Sequence, residues 1–196
     1  ETEGKAECNL FKAMGLEYFF VKDGNNIQEL IGAFRKVKDI NHPIVVHIHT
    51  QKGKGYKLAE EDKEPWHYVM PFNIEDGKPL EEDDSDDYSE ITKDYLMEKM
   101  KKDKTVITIT AGTPGSFGFS KKERDELGSQ FVDVGIAEQT AVAMASGMAS
   151  KGAKPVFTVV SSFIQRAYDQ LSQDLCINNN PATIVVSYGG AIGMTD

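Results

Sequence analysis

The sequence predicts an α/β fold, built as two partial three-layer α/β/α units with mostly parallel sheets. Three observations predict it. Short continuous apolar runs, Ile44 to Ile48 above all, have the character of strands buried on both faces. Stretches of helical period separate those runs, and strand–helix–strand units close most economically into parallel sheets. An acidic stretch of little periodicity then divides the chain near its middle.

The elements follow in order. Leu10, Phe11, Met14 and Leu16 read as the end of a helix that stops at Gly15. Tyr18 to Val21 is a short strand, closed by the turn Asp23-Gly24-Asn25. Ile27, Leu30, Ile31 and Phe34 recur at helical spacing. Pro43 precedes the strand Ile44 to Ile48. The first domain therefore takes residues 1–58, and residues 59–87 form an acidic interdomain linker. The linker ends in Glu81-Glu82-Asp83-Asp84-Ser85-Asp86-Asp87, for which a solvated run is the plain reading and a cation site the other. Residues 88–196 form the second domain. Asp87 followed by Glu90 has the form of a capping box, with Tyr88, Ile91, Tyr95 and Met100 on one helix face. Strands are predicted at Val106 to Thr110, Phe131 to Val134, Val156 to Val160 and Thr183 to Val186. Helices are predicted at about Glu138 to Ser150 and Ile164 to Ile177. The chain opens on part of a helix and stops at Asp196 after a strand-end loop, so it reads as an internal fragment whose sheet edge is left uncovered.

Composition narrows the function. The 196 residues carry 22 Lys plus Arg against 31 Asp plus Glu, a net charge of −9. That balance argues against nucleic acid or an anionic membrane surface as partner. The cysteines Cys8 and Cys176 form no C-x-x-C pair, which argues against a disulfide framework or a thiolate zinc site. No signal segment and no apolar run long enough to span a bilayer is present, so a reducing cytoplasm is the expected compartment.

In open α/β sheets, ligands bind at the carboxyl ends of the strands, and four such places carry unusual residues. His47 and His49 alternate on one strand face, but no third ligand stands nearby, so a structural or solvent-facing role outweighs a metal pair and no metal ligand is assigned. The Trp66-His67 pair sits in the linker, where a lone His is usually inert but clefts between domains also form. In Asp133-Val134-Gly135-Ile136-Ala137-Glu138-Gln139, a strand ends and a carboxylate lands on the first turn of a small-residue helix. That helix is apolar on nearly all sides and is expected to be buried. Two readings of Glu138 stay open: a carboxylate answering the helix dipole, or a desolvated acid that handles a proton. In Ser161 to Gln170, Phe163 and Arg166 are three residues apart and point to one side of a helical turn. They read either as core packing with a surface ion pair, or as a grip on a flat heteroaromatic ring.

The stretches DVGIAEQ (Asp133 to Gln139) and SFIQRAYDQ (Ser162 to Gln170) resemble the pyrimidine-binding domain of the transketolase superfamily of thiamine-diphosphate enzymes. Within it they are most similar to the 1-deoxy-D-xylulose-5-phosphate synthases. VVHIHTQKGKGY (Val45 to Tyr56) and the Trp66-His67 linker match in the right order, and TAGTPGSFGFS (Thr110 to Ser120) is a looser likeness. The resemblance covers essentially the whole chain.

It implies a thiamine-diphosphate-binding fold, with residues 1–58 the C-terminal part of a diphosphate-binding domain and 88–196 the N-terminal part of a pyrimidine-binding domain. It implies condensation of pyruvate with glyceraldehyde 3-phosphate, for isoprenoid precursors, by a homodimer of a longer protein. Glu138 is implied as the group that hydrogen-bonds the aminopyrimidine, Phe163 as its stacking face, and Arg166, Ile136 and Tyr56 as cofactor neighbours. His67 is implied at the reacting centre and Asp196 in the substrate pocket. Mg²⁺ is implied too, with ligands in a Gly-Asp-Gly…Asn segment expected upstream of Glu1. Thr140 stands where many members have His, and Tyr188 near where many have a phosphate-binding Arg. Two-carbon transfer between sugars by a transketolase, and a non-catalytic paralogue, are the alternatives.

Overall fold

The computed structural model describes residues 6, 9–80 and 87–190. The acidic run from Glu81 to Asp86, Cys8 and Asp196 lie outside the described residues. The chain divides into two compact units, Glu1–Asp83 and Asp84–Asp196.

In the first unit, helix α1 (Leu10–Ala13) begins at its own cap, because Asn9 Oδ1 accepts from the Lys12 N–H at 3.0 Å. The sequence suggested the end of a longer helix here; the Asn9 cap makes it a single turn. Strand β1 (Glu17–Val21) pairs in parallel with β2 (Ile44–Ile48), connected by α2 (Ile27–Val37). Adjacent strand residues point to opposite faces. The Tyr18 ring accordingly stacks on Phe11 before β1, while Lys36 of α2 lies over the ring of Phe19. Helices thus flank both sides of a two-stranded sheet. β2 is half-buried and not buried on both faces, as its apolar run suggested. Its sheet has one neighbouring strand among the described residues, and the α2 positions Ile27, Ile31 and Phe34 are exposed.

The described part of the linker is not a bare solvated connection. After α3 (Lys57–Glu61), the rings of Tyr56, Trp66 and Phe72 gather with centroids 4.8–5.7 Å apart. Phe72 bridges to Pro79. Gly77 closes the turn because a Cβ there would lie 2.8 Å from the Trp66 ring.

The second unit is a four-stranded parallel sheet ordered β4-β3-β5-β6: β3 Val106–Thr110, β4 Phe131–Asp133, β5 Lys154–Val160 and β6 Thr183–Ser187. Helix α6 (Glu138–Ala149) covers one face, joining Ile109, Phe157 and Val159 to Ala141, Val142 and Ala145. Helix α4 (Tyr88–Lys102) covers the other, where Leu96 and Met100 pack on Val106, Phe117 and Phe119. This is a three-layer α/β/α arrangement.

Four local expectations change. On α4 the buried face is Leu96 and Met100, whereas Tyr88, Ile91 and Tyr95 are exposed. Asp87 does cap the helix by accepting from Ser89 N–H, but the reciprocal capping box belongs to Ser120 and Glu123, ahead of α5 (Lys121–Leu127). Helix α6 exposes Gln139, Ala143 and Gly147, since only one of its sides meets the sheet. The continuous helix expected over Ile164 to Ile177 is broken. A turn of α-helix (Ser161–Ile164), a 3₁₀ turn (Gln165–Ala167), a short α turn (Tyr168–Gln170) and a π-helix (Leu171–Ile177) follow one another. The π segment leaves the Asp174 carbonyl to accept from Ser146 Oγ of α6 at 2.7 Å, and Asn180 Nδ2 donates to the same hydroxyl.

Candidate active site

The segments that leave the carboxyl ends of β3 and β4 are held together by one carboxylate. Asp133, at the end of β4, accepts from Gly112 N–H at 2.8 Å and from Gly135 N–H at 2.9 Å through a single oxygen. It ties the loop after β3 to the turn before α6. Gly112 must be small there, because a Cβ would come within 3.1 Å of Ile136 Cγ1. Gly135 has φ +70°, in the left-handed region that glycine enters without a Cβ penalty. This turn delivers Glu138 to the first position of α6.

Glu138 is 1% exposed, an unusual burial for a carboxylate. Its neighbour is Arg166, whose Nη1 lies 3.3 Å from Oε1 and 3.5 Å from Oε2. The Arg166 side chain is half exposed. Its guanidinium also stands 5.7 Å from the centre of the Phe163 ring, a cation–π distance. The break into a 3₁₀ turn at Gln165–Ala167 shapes this cluster, with Ala167 fully buried against the core. Glu138, Phe163 and Arg166, far apart in sequence, are thereby one cluster. Ile136 stands two residues before the carboxylate with its side chain 81% exposed, an apolar group presented to solvent.

The rim carries features that the residue pattern did not announce. Tyr188, just past β6, has φ +54°, strained for a bulky side chain. Its carbonyl accepts from Ser161 Oγ at 2.8 Å. The hydroxyls of Thr110, Ser162 and Ser187, at or just past the ends of β3, β5 and β6, are buried without a partner. Nothing in composition or spacing signals such orphans.

In the first unit, Tyr56 and His67 flank the Trp66 cluster. The Tyr56 ring meets Trp66 edge-on at 4.9 Å, and its hydroxyl is buried without a partner. His67 is exposed, and its Nδ1 accepts from the Lys52 ammonium. His47 is engaged by the Tyr18 hydroxyl, 2.5 Å from its Nδ1. Among the described residues, no group of three or more His, Cys, Asp or Glu is placed to hold a metal ion. No described helix is long and apolar enough to cross a membrane.

Chemically, the cluster in the second unit offers a buried anionic acceptor, an aromatic face and a cation within one short stretch. That set suits a flat, nitrogen-containing ring that donates a hydrogen bond at its edge.

The sequence is similar to known proteins. Residues 2–50 match the family described as 1-deoxy-D-xylulose-5-phosphate synthase. The chain is 42% identical over 184 residues to the 1-deoxy-D-xylulose-5-phosphate synthase of Halothermothrix orenii, covering 94% of this chain and 29% of that protein. It is 43% identical over 186 residues to that of Clostridium beijerinckii, covering 93% and 29%. It is 40% identical over 184 residues to that of Wolinella succinogenes, covering 94% and 30%. The chain therefore spans less than a third of the length of the curated relatives it matches. Residues 85–194, which hold the Glu138 cluster and more than half of the sequence, match the family described as transketolase, pyrimidine binding domain, and the chain belongs to that family.

Proposed function

We propose that this chain is part of a thiamine-diphosphate-dependent enzyme that condenses pyruvate with glyceraldehyde 3-phosphate, releasing carbon dioxide and forming 1-deoxy-D-xylulose 5-phosphate. Residues 1–58 are its share of the diphosphate-binding domain, 59–87 the linker and 88–196 its share of the pyrimidine-binding domain. The observation that carries this reading is the buried Glu138 carboxylate on the first turn of α6, with Phe163 and Arg166 gathered beside it. The similarity to synthases of that name supports it.

The residues present fit the pyrimidine half of the cofactor, since a buried charged acceptor and an aromatic face are what its edge and ring require. When bound, thiamine diphosphate supplies the electron sink for breaking and making carbon–carbon bonds. Glu138 accepts the hydrogen bond from a ring nitrogen and keeps a proton at that edge. Burial excludes water from this bond and makes it stronger than in solvent. Phe163 would offer the stacking face, Arg166 balances the buried carboxylate, and Ile136 would lend exposed apolar surface to the cofactor. By the resemblance, Tyr56 is read as a cofactor neighbour, His67 as a proton-handling group and Asp196 as a substrate residue. Mg²⁺ and the diphosphate take ligands outside this chain. The working enzyme is read as a cytoplasmic homodimer.

Titration calorimetry of the longer protein with thiamine diphosphate and Mg²⁺ tests the assignment. Glu138→Ala and Phe163→Ala are expected to weaken binding at least tenfold. No binding, or binding indifferent to both changes, sinks the cofactor assignment.

A further inference from the structure

Lys52 and His67 are 15 residues apart, yet the structure joins them by a hydrogen bond between their side chains. Each end of that bond is anchored. Lys52 lies in the loop after β2, and this loop is tied on three sides. Gln51 N–H donates to Asn25 Oδ1 at 2.7 Å. Gln51 Nε2 and Gly55 N–H donate to the two carboxylate oxygens of Glu60, at 3.0 and 2.8 Å. Gly53, at φ +80°, presses against Ala59 so closely that a Cβ would lie 2.8 Å from its backbone. On the other side, His67 N–H donates to the Glu64 carbonyl at 3.2 Å. The ring of its neighbour Trp66 is packed between Tyr56 and Phe72. Two exposed side chains would ordinarily meet only in passing. Here the backbones that carry them are fixed, which lowers the entropic cost of the contact.

The chemistry of the pair is one-directional. A lysine ammonium is donor only, so the His67 nitrogen facing it must present a lone pair. A ring with an unprotonated Nδ1 is neutral and carries its single proton on Nε2. We propose that Lys52 is a positioning residue for His67: it fixes the ring's orientation and its Nε2–H tautomer, so that His67 meets its substrate as a hydrogen-bond donor. This rests on the reading of His67 as a reacting-centre group given above, and deepens it by naming which ring nitrogen faces outward and what holds it there.

The experiment separates the two claims. In the ¹⁵N-histidine-labelled 196-residue chain, long-range ¹H–¹⁵N spectra report which nitrogen bears the proton. The His67 signals are assigned by their loss in His67→Gln. Nδ1 is expected to be the unprotonated nitrogen, to shift in Lys52→Met, and to return toward its original position in Lys52→Arg. A proton on Nδ1, or an Nδ1 resonance unmoved by Lys52→Met, overturns the proposal. Turnover of the longer protein reads the underlying assignment independently. Lys52→Met is expected to lower kcat about tenfold with KM for pyruvate nearly unchanged, and Lys52→Arg to recover most of the loss. Full activity in His67→Gln would refute the role of His67 while leaving the tautomer result standing. Full activity in Lys52→Met alone would refute the positioning role.

Discussion

Arg166 and Glu138 form an unequal pair: the Arg166 side chain is half exposed, whereas the Glu138 side chain it approaches at 3.3 Å is 2% exposed. The cost of separating them falls mostly on the carboxylate. Arg166→Ala would strand a buried charge, while Glu138→Gln leaves an arginine that water can reach. We expect Arg166→Ala to destabilise the chain by about 1–2 kcal/mol, less than a fully buried pair would lose. Glu138→Gln should cost less, and the double variant should recover part of the Arg166→Ala loss. Urea midpoints of the four proteins check this. Additive losses would show that the two groups are not coupled.

Asp133 is predicted to matter more for stability than its exposed position suggests. Its removal leaves the Gly112 and Gly135 N–H groups without their acceptor. Asp133→Ala is expected to cost about 2–3 kcal/mol, and Asp133→Asn about half of that because the charge-assisted character is lost but an acceptor oxygen stays. Thermal unfolding measures both. Equal effects of the two variants would contradict the assignment.

Gly53 and Gly15 share φ +80° but differ in surroundings, with Ala59 atoms 2.8 Å from a Cβ at Gly53 and open space at Gly15. Gly15→Ala should cost about 1 kcal/mol, the strain of the left-handed backbone alone. Gly53→Ala should cost clearly more, since backbone atoms cannot yield. The fluorescence of Trp66, the one tryptophan, follows unfolding of the unit that contains both glycines.

Acid should weaken the second unit through Asp103. The Lys154 ammonium at 2.7 Å holds its carboxyl far below the usual carboxylate range, with Thr105 hydroxyl and N–H bonds adding to the effect. A carboxyl whose folded pKa is depressed stabilises the fold above its unfolded value of about 3.9 and loses that contribution as pH falls further. Asp103→Asn should therefore lower stability at neutral pH and flatten its decline between pH 4 and 2. An unchanged acid limb in urea titrations would rule Asp103 out as a contributor.

Much of the fold was legible because strands and helices here announce themselves by period. The parallel strands at Val106, Phe131 and Thr183 begin at those very residues, and α6 begins at Glu138. What sequence reasoning missed depends on neighbours far along the chain. Tyr88, Ile91 and Tyr95 repeat at helical spacing as well as Leu96 and Met100 do, and only the placement of the sheet decides which face is buried. The segment from Ser161 to Ile177 has helical composition throughout, yet tertiary hydrogen bonds and core contacts split it into turns of different pitch. Within the site, Glu138, Phe163 and Arg166 were readable as residues at strand ends, and their mutual distances were not. Asp133 passed unnoticed because its value lies in two glycine N–H groups, which no side-chain pattern reveals.

The Ser146 contact with the π segment gives α6 a second point of attachment, two turns or about 12 Å from Glu138. A helix pinned at its start by the Asp133 turn and further along by Ser146 has little freedom to roll about its own axis. The wide turn at Leu171–Ile177 thus works as a bearing for the carboxylate: distant from the cluster, it sets the direction in which Glu138 is aimed.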